Sequence, residues 1–522
     1  MQSTKLSFKQ ALQNPDVLSV TWELVPGRGA WEKSQDHVLK MAELAAKDQR
    51  INGITITDNP GGKPAILAHT LAVEAKSFGI EPIIHFTCKD KNRNDIESEL
   101  YALARSGVQN LLVMTGDYPS DGYTGRPKPV FDLDAVHALK LINHMNKGED
   151  IPSYKGRMTL QATNFFAGAV VSPFKRDEAE VMNQYYKLHK KVRSGAGFII
   201  TQLGYDARKF DELKKYMKDH NLDVPLIGNI FYLTPSTAKL MYNNKIPGCV
   251  VTEKLLNELE AEKSKYGDKK EVYLLRSAKL YAILKGLGYD GVNISGHGLD
   301  YWDVCHIIEK GEELSANWKD IVHEFNFPQK DGFYYYVKKV DGLNENIIND
   351  MSLTNSGGFS PMFFALSLVH DLFFRRSSPL FPLVKAIARL IDKSFLKKPF
   401  TWLEYAIKSV TNECLFCGDC AMHEIAFICP MSKCPKQQRN GACGGSFEGW
   451  CEVYPGKMKC IYVKAYQLYK ATGAQERLKV GYIPPCDWKL YRTSSWLNYL
   501  NDRDYSSKSS EYIPSEKEKA KK

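Results

Sequence analysis

Residues 190–206 read KKVRSGAGFIITQLGYD. A charged helical stretch ends at Arg193, Ser-Gly-Ala-Gly turns the chain, and FIITQL runs on as a β-branched strand tipped by Gln202. The same helix–turn–strand unit recurs on either side. VLSVTWELV (17–25), GITIT (53–57), EPIIHFT (81–87) and NLLVM (110–114) are further strand candidates, followed by MTLQATNF (158–165), VPLIGNIF (224–231) and GVNIS (291–295). Amphipathic stretches such as DHVLKMAELAAK (36–47), AEVMNQYYKLHKKVRSG (179–195) and LLRSAKLYAILKGLG (274–288) separate them. Strands alternating with helices in this way over residues 1–310 predict an α/β fold, a (β/α)8 TIM barrel. A doubly wound parallel sheet is the alternative, but no G-x-G-x-x-G follows the first strand.

At 522 residues the chain exceeds one ordinary core, and a 43% apolar, 25% charged composition is that of a globular protein. No apolar stretch follows Met1, so a cytoplasmic address is expected. The net charge of +10 is spread along the chain, and no nucleic-acid module accompanies it. An acidic electron carrier would be drawn to such a surface. Residues 311–412 lose the regular beat and read as a connector. Within it, MFFALSLVHDLFFRRSSPLFPLVKAIARLIDKSFL (362–396) reads as two apolar-faced helices broken at Ser377-Ser378-Pro379. Neither is an uninterrupted apolar run of roughly 18 residues, so a membrane span is excluded; packing against the barrel or a partner is expected over a place on a membrane surface. Residues 413–505 form a cysteine-rich domain, and the Lys/Glu/Ser-rich tail at 506–522 is expected to be disordered.

The chain has 12 cysteines, most of them crowded into that late domain. Cys414-x2-Cys417-x2-Cys420 followed by Cys429-Pro430 has the spacing of an iron–sulfur ligand run. Cys434, Cys443, Cys451 and Cys460 make a second set of four. In a reducing compartment such clusters read as metal ligands rather than disulfides. Two [4Fe-4S] clusters are the first reading and structural zinc the alternative. His423 reads as a neighbour, and Cys88, Cys249, Cys305 and Cys486 as ordinary cysteines.

Barrels of this kind do chemistry where strands end. Glu23, set between Trp22 and Leu24, should have a raised pKa suited to a general acid, with a strand-end salt bridge as the plain alternative. Asp117 follows the fourth strand in MTGDYP (114–119), His85 and Thr87 lie in IIHFTC (83–88), and Lys191 and Gln202 bracket the sixth strand.

VTWELVPGR (20–28), HFTC (85–88), TGDYP (115–119) and KKVRSGAGFIITQLGYD resemble the methylenetetrahydrofolate reductase family over roughly residues 15–310. NGACGGSFEGWCEV (440–453) resembles the C-terminal domain, or separate small subunit, that accompanies this reductase in anaerobic bacteria and is associated with iron–sulfur clusters and ferredoxin-like donors. The resemblance implies flavin-dependent reduction of 5,10-methylenetetrahydrofolate to 5-methyltetrahydrofolate. Glu23 would be the catalytic acid; Thr57, His85, Asp117 and Lys191 would contact flavin; Gln202, with Asp117, would contact folate. The implied partners are methylenetetrahydrofolate and an electron-donor protein, ferredoxin-like or part of a larger complex, with a homo-oligomer left open.

The chain departs from the family at Thr115, where an arginine contacts flavin phosphate, and at about Gly168 and Ser172, where a tyrosine and a histidine stand. These departures leave FMN as an alternative to FAD. YLTPSTAK (232–239) lacks the family's stacking aromatic, which speaks against direct NAD(P)H use. The rival readings are an NAD(P)H-dependent reductase with a zinc-stapled docking domain, and a folate-binding methyl-transfer partner or scaffold.

Overall fold

The computed structural model describes residues 5–350 and 357–515. Eight parallel strands close into a barrel: β1 (Ser19–Leu24), β2 (Gly53–Ile56), β3 (Glu81–Thr87), β4 (Asn110–Met114), β5 (Phe166–Val171), β6 (Phe198–Thr201), β7 (Leu226–Phe231) and β8 (Gly291–Ser295). Each strand pairs with the next in sequence, and β1 closes the ring on β8 with Ser19 opposite Gly291. The helices between them bury one face each against the sheet, as at Val38, Met41, Ala42 and Ala45 of Lys33–Lys47.

The interior is layered. At the N-terminal end a short helix, Phe8–Leu12, is held by a Ser7–Gln10 capping box and plugs the barrel with Phe8. The Phe8 ring meets those of Phe198 and Phe166, with centroids 5.2 and 6.0 Å away. Above this apolar layer, Asn293 Oδ1 accepts from Thr21 (2.8 Å) and Thr55 (3.2 Å), and Asn229 Oδ1 accepts from Ser295 (3.0 Å). This polar layer forms the base on which the cavity opens.

The fifth strand is not where the pattern placed it. Gly156–Thr159, which takes in the first two residues of MTLQATNF, instead pairs antiparallel with Asp150–Ser153 in an exposed hairpin. The barrel strand is Phe166–Val171, whose small residues fit a crowded interior.

Helix α1 (Glu178–Arg193) is a barrel helix covered on its outer side as well. Its Glu178, Asn183 and Lys187 are buried because the cysteine-rich domain lies over them. Lys470 pairs with Glu178 at 2.7 Å, and Asn183 donates to Tyr462 O at 2.9 Å. Among its described residues the connector contains a hairpin (Tyr336–Lys338 with Asn344–Ile348) and, after it, helices α2 (Pro361–Val369, continued by a wider turn at His370–Phe374), α3 (Phe381–Lys393) and α4 (Lys397–Asn412). These helices rest on the cysteine-rich domain: Phe363 meets the rings of Phe427 and Tyr469, and Phe381 and Ala388 pack with Leu497 and Leu500. Their other apolar faces remain exposed among the described residues and do not cover the barrel, one of the two placements, barrel or partner, that the sequence suggested.

The tail expected to be disordered from residue 506 is ordered in part. Tyr505–Lys508 forms a helical turn, and Ile513 exchanges two backbone hydrogen bonds with Tyr482. The rest, 516–522, lies outside the described residues.

Candidate active site

A cavity of about 610 Å³ opens at the C-terminal ends of the strands. Glu23 of β1, Thr57 after β2, His85 of β3, Asp117 after β4 and Gln202 after β6 all line it. Parallel register brings them together, since every strand delivers its last residues to one face.

Glu23 Oε2 stands 3.8 Å from His85 Nε2, beyond hydrogen-bond reach. Burial pushes the Glu23 carboxyl up to about 7. Burial also pulls His85 down to about 4, against the opposing charge of Asp58. Near neutral pH the site therefore offers a carboxyl poised to release a proton beside an uncharged imidazole. Asp117 Oδ2 accepts from Gly61 N at 2.8 Å, tying the loop after β4 to the loop after β2. Gly116 makes that turn at φ +85°, and a Cβ there would lie 2.9 Å from Thr87 Cβ. Gln202 holds its amide by accepting from Leu203 N at 2.9 Å.

Thr57 Oγ1 and His85 Nε2 are buried and have no hydrogen-bond partner, as is Ser172 Oγ just past β5. Leaving such a group unmade costs about 1–3 kcal/mol, so the two that line the cavity are donors and acceptors awaiting a ligand. That fits a polar, multi-ring group such as a flavin.

Lys191 does not join them. It is buried at the end of α1, its ammonium donates to Val170 O, and burial lowers it to about 7, with Lys187 adding to the effect. Gly168 lies inside β5 rather than at a strand end, where a Cβ would sit 2.3 Å from the Phe198 ring. The correspondence drawn for it with a strand-end side chain therefore fails.

The sequence reading missed the cysteine-rich domain's own share of the cavity. Glu452 and Val453 line its wall. Lys436 pairs with Glu452 and donates to Gly116 O at 2.8 Å, in the very turn that presents Asp117. Burial alone would raise the Glu452 carboxyl; the Lys436 ammonium outweighs it and holds the group below its usual range. Thr115, the position without the family arginine, donates to Gln438 of the same domain at 2.9 Å. No local pattern in WCEV or CPKQQ announces these long-range contacts.

Cys434, Cys443, Cys451 and Cys460 line one small cavity of about 30 Å³, and Glu452 and Val453 border it too. Cys443 Sγ donates to Glu452 Oε1 at 3.3 Å. In the other set, Cys417, Cys429 and Cys486 pack in one buried cluster with Cys420 against it. Cys486 is therefore a neighbour of that set and not an isolated cysteine. All 12 cysteines are free. Among the described residues no three His, Cys, Asp or Glu side chains are arranged to hold a metal ion, in either set.

A family profile described as "Methylenetetrahydrofolate reductase" matches residues 8–283. The chain belongs to the methylenetetrahydrofolate reductase family. A second profile, "Methylene-tetrahydrofolate reductase C terminal", matches residues 394–489 of this reductase-family chain. "Methylenetetrahydrofolate reductase 2" of Schizosaccharomyces pombe is 23% identical over 257 residues, 47% of this chain and 38% of that one. The Saccharomyces cerevisiae protein of the same name is 28% identical over 194 residues, covering 36% and 30%. "Methylenetetrahydrofolate reductase (NADH) 1" of Arabidopsis thaliana is 25% identical over 177 residues, covering 34% and 29%. The chain thus spans well under half the length of these relatives.

Proposed function

We propose that this protein reduces 5,10-methylenetetrahydrofolate to 5-methyltetrahydrofolate in the barrel cavity. The observation that carries the reading is Glu23, a carboxyl raised to about 7 by burial, lining a roughly 610 Å³ cavity with Asp117 and Gln202 beside it. Opening the imidazolidine ring of the substrate needs a proton on the leaving nitrogen. Glu23 Oε holds that proton near neutral pH and gives it up as the iminium carbon becomes electrophilic. Gln202 and Asp117 orient the pterin by hydrogen bonds. His85, kept neutral, stands near Glu23 without drawing off its proton.

Thr57, His85 and Asp117 would hold a flavin, FAD or FMN. A bound flavin supplies the hydride that the methylene carbon accepts. Lys191 has no part in this reading, because its ammonium is already committed to Val170 O.

For the electron source, the reading is an iron–sulfur inlet in the cysteine-rich domain, fed by a ferredoxin-like protein. What supports it is the all-thiol donor set and the wall shared between the second cysteine set and the barrel cavity at Glu452 and Val453. Clusters there would supply one-electron relay toward the cavity. The NADH named for the Arabidopsis relative is the competing donor.

Protein purified without oxygen is assayed for flavin, iron, zinc and sulfide, then for folate reduction with reduced ferredoxin and with NAD(P)H. Bound flavin, iron with matching sulfide and ferredoxin-driven turnover are expected. Turnover with NAD(P)H alone and no sulfide would replace the inlet with direct nicotinamide use. Glu23→Gln should lower folate reduction about 10²–10⁴-fold while flavin reduction proceeds at the parental rate. Equal loss of both half-reactions would remove Glu23 from the acid's role.

A further inference from the structure

Helix α4 is turned inside out for a helix in water. Its carboxylate, Glu404, is buried, accepting from Ser495 Oγ (2.7 Å) and Lys408 Nζ (2.6 Å) and bonded to Ser494. Trp402 and Val410 face outward instead, 70% and 89% exposed, with Leu403 half-exposed on the same side, while Phe400 packs inward on Trp496. A buried, fully bonded carboxylate fixes this orientation, because rolling the helix over would leave that charge unpaired.

The same arrangement extends to its neighbours. On α3, Phe381 and Ala388 pack inward on Leu497 and Leu500, while Leu383, Ile387 and Leu390 form a second apolar stripe that nothing among the described residues covers. Phe395, 87% exposed, lies between α3 and α4, and α2 contributes Leu368. Between α2 and α4 a cavity of about 160 Å³, walled by Leu366, Val369, Ile407 and Trp496, carries the apolar surface inward.

Charge decides what the face suits. The segment's acids are already answered: Asp371 by Arg375 (2.9 Å), Asp392 by Arg503 (2.7 Å) and Glu404 by Lys408 (2.6 Å). Arg389, Lys393 and Lys398 are exposed and have no ion-pair partner among the described residues. A second copy docked by a two-fold axis would set these cations against their own equivalents with no free carboxylate to meet them. A lipid surface bearing anionic headgroups meets both features, since outward Trp, Leu and Phe enter the acyl boundary while flanking cations stay at headgroup level. No helix among the described residues is long and apolar enough to cross a membrane, so the contact is in-plane.

We infer that α2, α3 and α4 form a platform that seats this protein on an anionic membrane surface. The sequence reading preferred packing against the barrel or a partner over this membrane-surface alternative. The platform places the lipid near the first cysteine set, because α4 ends at Asn412, two residues before Cys414.

The test is flotation of the full-length protein, as purified, with vesicles of phosphatidylcholine alone or with about 30 mol% phosphatidylglycerol. Binding to the anionic vesicles, weakening with salt, is expected. Trp402→Ser with Val410→Ser should weaken it at least about tenfold, and Lys393→Glu with Lys398→Glu by a similar factor. Both variants should keep the parental unfolding temperature, since these side chains point outward. Failure to float with either vesicle overturns the inference. So does sedimentation showing a dimer that Trp402→Ser with Val410→Ser dissociates while vesicles remain unbound, which would assign the face to a second copy.

Discussion

In the barrel, Glu23, His85 and Asp117 come from three strands or strand ends fixed by continuous parallel hydrogen-bond ladders. In residues 413–505 the thiols come from loops and short turns, and the backbone is bent to suit them. Phe416, Ala426, Phe427, Gln437 and Glu448 all stand at positive φ without being glycine. Each such residue costs about 1–2 kcal/mol, a strain the barrel strands do not carry. A regular sheet positions chemistry by register, whereas a loop domain needs something else to hold it in place. Here that is burial against α1 and, in the function proposed above, ligation by the thiols.

Removing metal tests this contrast most severely. Protein stripped by a chelator should become protease-sensitive within 413–505 while the barrel stays resistant, because ligation free energy is folding free energy in small metal-held domains. Equal resistance in both regions would make the loops self-sufficient. Next in size is the joint between the regions. Lys436→Met strands the Glu452 carboxylate in a buried wall and should cost about 3–5 kcal/mol in urea unfolding. Adding Glu452→Gln should return most of that loss; if it does not, Lys436 matters mainly through its bond to Gly116.

Within the barrel, the acid itself leaves a thermodynamic trace. Glu23 is raised from 4.5 to about 7 in the folded state, so the native protein keeps a proton that the unfolded chain releases. Stability should therefore fall as pH rises from about 4.5 to about 7, by roughly 3 kcal/mol in all. Glu23→Gln should remove this slope and be the more stable protein at pH 8. A slope unchanged by the substitution would mean that other groups cause it.

The barrel was legible because its signal is local: a β-branched run, a turn and an amphipathic helix can each be recognised within a few residues. Glu23, Thr57, His85, Asp117 and Gln202 were reachable for the same reason, since a strand end is a position in a pattern. Lys191 was misplaced because whether its ammonium enters the cavity depends on helix rotation, to which its spacing from the strand is blind. Nothing in the charged sequence of α1 marks it as buried; it is buried because a domain more than 200 residues later covers it. The Lys436–Glu452 pair and the place of Cys486 beside Cys417 are likewise long-range facts, and no spacing rule reports them. The apolar face of α3 was visible in the sequence, but α4 was not read as a helix, and its direction is set by Glu404 and its distant serines.

The smallest effect concerns the fifth strand, the one the pattern misplaced. Phe198 is fully buried among Phe8 and Phe166, so its ring cannot swing away from an added methyl. Gly168→Ala brings a Cβ to 2.3 Å from that ring and should cost about 1–3 kcal/mol by overpacking. Phe198→Leu, by trimming the ring, should make the alanine cheaper to accept, so the two costs should combine to less than their sum. Simple additivity would show that β5 shifts to relieve the clash. The cysteine-rich domain should be indifferent to either change, because the layer around Phe8 lies at the opposite end of the barrel from Glu452.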